Sequence, residues 1–329
     1  MSRLFRVELI RFLSRRAVLV ILVLAVAIPM VIGVATILNT RPPSDDALAS
    51  AQAQADAEAK QPYIQRDLRR CINHPDEWFG SQVPDDVESV CADNVLPKAE
   101  WFTYWNPLDL ASQRDEGSGL AIVILLSILM MLAGTTFAGH DWASGSVSNQ
   151  LLFEPRRPRV WAAKAGVVTA LAAALAAAVV TGFWAVMALV AHGRDIETGH
   201  GLLLDCFQSG WRGAGMAGAA ALAGYALTML FRSTVAALGV LLAASVAGGI
   251  VLAVIGIDSV WNPGLNVAAV ILDGATYWTD APCPGGAEPG QFCEVEKTLP
   301  IGRALWFLGT GLALFAAASV ASFHRRDVP

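Results

Sequence analysis

Six stretches of this chain are apolar and long enough to cross a bilayer as helices, and almost no charge interrupts them. A hydrocarbon core about 30 Å thick takes roughly 20 residues of α-helix. The stretches are 17–38, 118–138, 162–191, 212–231, 233–256 and 302–323. Only 16% of the 329 residues are charged, against roughly 25% in soluble domains. The sequence therefore predicts an all-α integral membrane protein with six transmembrane helices. Pro29 and Gly33 predict a kink in the first span, which membrane helices tolerate. The run from Ala17 to Leu38 is too long for the apolar core of a cleaved signal peptide, so it reads as a retained anchor.

Orientation follows from Lys and Arg in the short loops. Segments 1–16, 139–161, the turn at Arg232 and the tail 324–329 hold eleven arginines between them. The loops 192–211 and 257–301 hold only Arg194 and Lys297. Both termini are therefore expected in the cytoplasm of a multi-pass plasma (inner) membrane protein. Segment 39–117 carries seven basic residues, but long loops translocate largely regardless of charge. It is expected to form an extracytoplasmic domain.

Cys71, Cys91, Cys206, Cys283 and Cys293 all fall in segments that charge alone puts outside. Disulfides need an oxidising compartment. Cys71–Cys91 and Cys283–Cys293 are the natural local pairs and would leave Cys206 free; five free thiols are the alternative. Within 39–117, Ala47 to Lys60 is rich in helix formers and reads as an exposed helix. The aromatic run Trp101 to Trp105 suits either a membrane interface or the core of this small domain.

Residues 1–16 read as an interfacial helix, with Phe5, Leu9, Phe12 and Leu13 on one face and Glu8, Arg11 and Arg15 opposite. A plain topology signal is the other reading of the same arginines. Small residues Gly215, Ala219 and Ala223, with Gly213 and Ala217, on the fourth span, and Ser245 and Gly249 on the fifth, permit close helix packing, within the chain or between copies. Residues 260–272 are amphipathic, with Asn262 and Asn266 facing inward if the segment enters the membrane. They form a surface loop if it does not. His192, Asp195, Glu197, His200, Asp205 and Cys206 share one loop, but their spacing fits no zinc pattern and no metal site is expected.

The spans hold no Asp, Glu, Lys or Arg beyond their ends. Ion-coupled pumps keep such residues within the membrane as relays. No G-x-x-x-x-G-K-[ST] motif occurs, since no lysine here follows Gly. No catalytic constellation and no cofactor are expected on the chain, and with a pI of about 5.5 and no RNA- or DNA-binding motif no nucleic-acid partner is expected. If ATP drives the protein, hydrolysis happens on another subunit.

The loop 139–161 carries the most specific pattern. Asp141 is followed by Ser144-Gly145, a short apolar helix with Val147, Leu151 and Leu152, a turn Pro155-Arg156-Arg157-Pro158-Arg159, and then Lys164. This resembles the inner loop of ABC exporter permeases of the type-2 class. In that family an acidic residue, a Gly-Thr or Gly-Ser pair, a Leu-rich helix, a Pro-x-x-Arg turn and a Lys recur between the second and third spans. Here Asp141 replaces the usual Glu, and the turn carries an extra proline. The basic N-terminal helix, the six spans, the large loop after span one and a re-entrant-type outer loop before span six are similar as well.

The resemblance implies a permease subunit that moves an amphipathic or hydrophobic cargo (drug, lipid or peptide) outward. A separate ATPase subunit, binding ATP and Mg, would dock on Asp141, Ser144, Gly145, Val147, Leu151, Leu152, Arg156 and Arg159. A second permease copy or paralogue would complete the pathway. Thr135, Thr136, Thr228 and Ser245 would line it, and Asn262 and Asn266 would form an outer gate. The alternative is a membrane-anchored sensor or assembly protein whose domain 39–117 binds a ligand or partner.

Overall fold

The computed structural model of the chain describes residues 2–80, 84, 86–103, 105–196, 198–199, 201–255, 259–282 and 292–325. Of these, 82% are helical. They belong to two compact units, Met1–Val34 with Asp109–Pro329, and Ala35–Leu108.

The chain opens with α1 (Ser2–Leu13), breaks at Ser14-Arg15, and enters α2 (Arg16–Asn39). In the smaller unit, α3 (Asp45–Ala59) is capped by Ser44, whose hydroxyl accepts from the Ala47 amide at 3.3 Å. Asp45 and Asp46 in its first turn suit the helix dipole. Ala51 and Ala55, one turn apart, are its buried stripe. Next come α4 (Pro62–Asn73), α5 (Pro75–Phe79) and α6 (Val87–Val95). Cys71 on α4 and Cys91 on α6 form a disulfide with Cα atoms 5.8 Å apart, within the usual span. Ile64, Leu68, Ile72, Phe79, Val87 and Val95 pack around it.

So small a core depends on its staple. Changing both Cys71 and Cys91 to serine is expected to cost the smaller unit about 3 kcal/mol. Limited proteolysis within 45–95 would read this as faster cleavage. Of the other expected pair, Cys293 is disulfide-bonded, and Cys283 lies outside the described residues. Cys206 is free and buried, its thiol 3.8 Å from the Leu110 carbonyl. Trp101 is exposed, Trp105 donates to the Thr40 carbonyl at 3.3 Å, and Tyr104 lies outside the described residues.

The rest of the larger unit runs through α7 (Leu110–Asp115), α8 (Ser118–Ala143), α9 (Ser146–Phe153), α10 (Arg157–Gly193), α11 (Leu202–Phe231) and α12 (Thr234–Ile255). Then follow α13 (Pro263–Leu272), β1 (Ala275–Pro282), β2 (Phe292–Leu299) and α14 (Ile301–Arg325). Among the described residues, five segments are long and apolar enough to cross a membrane: Arg16–Asn39, Leu110–Ala143, Arg157–Gly193, Leu202–Phe231 and Ile301–Arg325. This is the signature of a multi-pass membrane protein. Helix α12 stands where a further span is expected from sequence. Its backbone is helical throughout, while several of its side chains, Ser245 among them, lie outside the described residues.

Helix α11 packs between α8 and α10, and its small residues make this possible. A Cβ on Gly134 of α8 would lie 2.2 Å from the Ala221 carbonyl oxygen, and one on Gly224 would lie 2.3 Å from that of Met131. Gly213, Ala217, Ala221 and Gly224 are buried and serve packing within the chain, whereas Gly215 is exposed and Ala219 and Ala223 are half-buried. Gly224→Val is expected to destabilise the α8–α11 pair by at least ~3 kcal/mol, the upper range for overpacked cores. A thermal melt of the purified protein in detergent checks this.

One end of the bundle gathers most of the arginines. Arg157 donates to the Phe323 and His324 carbonyls at 3.3 and 3.2 Å, which ties the start of α10 to the end of α14. Trp142 meets Phe323 edge-on at 6.1 Å, and the Arg232 guanidinium lies 4.9 Å from the Trp142 ring. The end of α8, the turn between α11 and α12, and the end of α14 are therefore neighbours.

The segment before α14 differs from the short helices expected there. It holds α13 followed by a two-stranded antiparallel sheet with Ala275 opposite Leu299 and Pro282 opposite Phe292. In Glu294-Val295-Glu296-Lys297-Thr298-Leu299 the apolar residues Val295 and Leu299 fall on one face of a strand, with Lys297 interrupting the alternation between them. Ala269, Val270, Ala275, Leu299 and Ala304 pack the hairpin's base onto α13 and α14.

Candidate functional site: a buried ion network under the α8–α10 loop

Glu8, Arg11 and Arg15 fall at i, i+3 and i+7, one stripe of a helix. The structure turns this stripe inward. Asp141 sits in the last turn of α8, and Lys164 two turns into α10. Lys164 Nζ lies 2.9 Å from Glu8 Oε2 and 2.5 Å from Asp141 Oδ2. Arg11 donates to Glu8 Oε1 at 3.3 Å and to Asp141 Oδ1 at 3.2 Å. Arg15 also donates to Asp141. Glu8, Asp141 and Lys164 are 0%, 1% and 1% exposed. Phe137 seals one side, with Arg15 and Lys164 5.2 and 5.1 Å from its ring centre and Phe12 edge-on against it at 5.1 Å.

Helix α9 is wired into this network. Gly145 takes a left-handed φ of 66° and turns the chain from α8 into α9, a conformation that costs glycine little. Ser146 and Gln150, one turn apart, then face the charges. Ser146 Oγ donates to Asp141 Oδ1 at 2.8 Å, and Gln150 Nε2 to Glu8 Oε1 at 2.5 Å. Arg11 returns a hydrogen bond to each of these side chains at 3.0 Å. Every carboxylate oxygen in the network has a partner, the condition for keeping charge in a low-dielectric site.

Among the loop residues singled out from sequence, the structure separates two roles. Asp141 is an anchor within the network. Val147 is 2% exposed and packs inward, so it presents nothing outward. Leu151 is half-buried, and Ser144, Gly145, Arg156 and Arg159 are exposed. Leu152 and Phe153 are 80% and 90% exposed. With Asn149 they form the outer face of α9. They are the most exposed apolar side chains of α9.

No known protein family, curated protein or solved structure matches this chain. What the site can do rests on its geometry.

The other expected site residues are placed elsewhere. Thr135 and Thr228 are fully buried and give their hydroxyls to the Met131 and Gly224 carbonyls of their own helices. Thr136 does the same with Leu132. Asn262 caps α13 by accepting from the Gly264 amide at 2.8 Å. Asn266 is buried and donates to the Val260 and Asn262 carbonyls at 2.8 and 2.9 Å, holding the turn that precedes α13. Of the polar loop after α10, Glu197 and His200 lie outside the described residues.

The expected lipid face of α1 is corrected. Phe12 is buried against Phe137, while Phe5 and Leu13 of the expected face stay exposed beside Val7, Ile10 and Arg6. The demand of Asp141 and Lys164 for partners outweighs the weak apolar stripe. Sequence reasoning did not bring Arg11, Arg15, Ser146 or Gln150 to a site with Asp141, and it also missed Glu8. Its signal was available: it is the only acidic residue among the first sixteen.

Proposed function

We propose that the chain is the membrane-spanning permease subunit of an ATP-driven exporter resembling the type-2 ABC class. A separate ATPase subunit would dock on the outer face of α9. The observation that carries this reading is the pairing of an exposed Leu152-Phe153 knob with a buried ion network directly behind it. A push on α9 would reach α1, α8 and α10 together, because Ser146, Gln150 and Asp141 join all four helices. This is the mechanical requirement for turning closure of an external ATPase pair into tilting of membrane helices.

Six spans with both termini cytoplasmic fit the same reading. The turn at Arg232 and the end of α14 share one end of the bundle. The chain between them must then cross to the far end and return. Helix α12, with 22 residues, would be about 33 Å long at 1.5 Å per residue, enough for a bilayer core. The arginines at this end suit the cytoplasmic side of the inner membrane. The cargo is amphipathic or hydrophobic. In support, a groove of about 710 Å³ between α2 and α10 is lined entirely by aliphatic side chains, among them Leu22, Val26, Met30, Leu171 and Leu175. A second permease copy or paralogue would complete the assembly.

The test is purification of the full chain from its native membrane in mild detergent, with the co-purifying proteins identified by mass spectrometry. A stoichiometric protein with a phosphate-binding P-loop is expected. A folded chain that brings down no such subunit would remove the permease reading. It would leave the disulfide-stapled unit 35–108 as the place to look for a binding function.

A further inference from the structure

The ion network does not balance. Glu8 and Asp141 supply two negative charges, and Arg11, Arg15 and Lys164 supply three positive ones, so the sum is +1. The surplus has a location. Arg15 Nη1 is buried and has no hydrogen-bond partner among the described residues, although the same guanidinium bonds Asp141 through Nη2. A buried charged donor left unmet is costly and calls for a ligand or an ion.

A groove of about 480 Å³ lies beside it, lined by Arg11, Ser14, Arg15, Arg16, Thr136 and His140. Three of these are guanidinium groups, and no carboxylate lines the groove. Arg16 makes no ion pair among the described residues. The groove sits at the break between α1 and α2, where the first candidate span begins. The outward face of α1, with Val7, Ile10 and Leu13 beside Arg6, suits a helix lying in the membrane interface. The groove is therefore at headgroup depth.

We propose that this groove binds the phosphate group of an anionic phospholipid. Guanidinium forks match phosphate oxygens in pairs. One phosphodiester charge cancels the surplus of the network, and the His140 ring stands at its edge as a further polar contact; the Ser14 hydroxyl there donates to the Arg11 carbonyl at 3.0 Å. The bound lipid completes the support of α1 and thereby of α9. This inference rests on the membrane reading and not on the ATPase partner, so either can fail without the other.

The full chain is placed in nanodiscs of phosphatidylcholine with a minor share of phosphatidylglycerol. Lipids retained after gentle release are read by native mass spectrometry, for the unmodified protein, Arg16→Gln and Arg6→Gln. Arg16 lies outside the ion network, so its replacement leaves the fold intact. Arg6 is an exposed charge on α1 that does not line the groove. The unmodified protein is expected to retain phosphatidylglycerol preferentially. Arg16→Gln should lower that preference about tenfold, as loss of one charge-assisted contact would, and Arg6→Gln should leave it nearly unchanged. Equal retention of both lipids, or equal losses in the two variants, would overturn the proposal. A parallel melt in detergent with inorganic phosphate separates the sources. Stabilisation by phosphate that Arg16→Gln abolishes, without any lipid preference, would make the site one for free phosphate and overturn the lipid assignment.

Discussion

Lys164→Met is expected to cost the protein about 3–5 kcal/mol, the range for removing one partner of a buried ion pair. Methionine keeps much of the volume, so the loss reads charge and not packing. Without Nζ, Glu8 keeps only the longer contact with Arg11 and the amide of Gln150. Asp141 keeps its two arginines. The weaker of these two carboxylates is Glu8, so α1 should come away first. Protease access at residues 1–16 of the purified protein would show it, together with a lower melting temperature. Adding Glu8→Gln to Lys164→Met removes the stranded charge and should recover part of the loss, giving a coupling energy in the 0.5–3 kcal/mol range of interacting sites. The penalty should change little with salt, since buried pairs are poorly screened. A single variant that melts with the unmodified protein would contradict the buried network.

The second large effect concerns partner binding and not folding. If the proposed ATPase subunit docks on α9, Leu152→Asp with Phe153→Asp should abolish its association while leaving the melt unchanged. Both side chains are almost wholly exposed, and surface changes of this kind usually stay within about 0.5 kcal/mol. At a docked interface a buried aromatic anchor carries ~2 kcal/mol or more, about a thirtyfold loss in affinity for that residue alone. Val147→Asp is the informative contrast. It puts a charge into the packed side of α9 and should lower the melting temperature as well. Equal effects of the two changes on stability would mean that the faces of α9 are not distinct.

The membrane character was legible in the sequence because bilayer thickness demands long uncharged helices, and few other physical requirements produce them. The short helix after Asp141 was legible from its apolar residues and the proline that follows, and the Cys71–Cys91 pair from its locality. The direction of α1 was not. Its stripe of Phe5, Leu9, Phe12 and Leu13 competes with Leu4, Val7 and Ile10 on other faces. Only Asp141 and Lys164, more than a hundred residues away, decide which face turns in. The hairpin 275–299 was hidden for a related reason. Lys297 interrupts the alternation on the second strand, and residues 283–291 between the strands are dominated by Pro and Gly, so no continuous period-two pattern registers. Val147, Leu151 and Leu152 look alike as apolar helix residues. The turn at Gly145 sets which of them faces inward, and no periodicity within eight residues reveals that.

The most direct test places a photoreactive phenylalanine analogue at position 153 in the full chain, expressed in its native membrane and illuminated before lysis. A crosslink from residue 153 to a subunit carrying an ATP-binding P-loop is the expected result, and the same analogue at position 147 should give none. Crosslinks from 153 only to lipid, or only to a protein without an ATPase domain, would contradict the proposal that energy reaches this chain through α9.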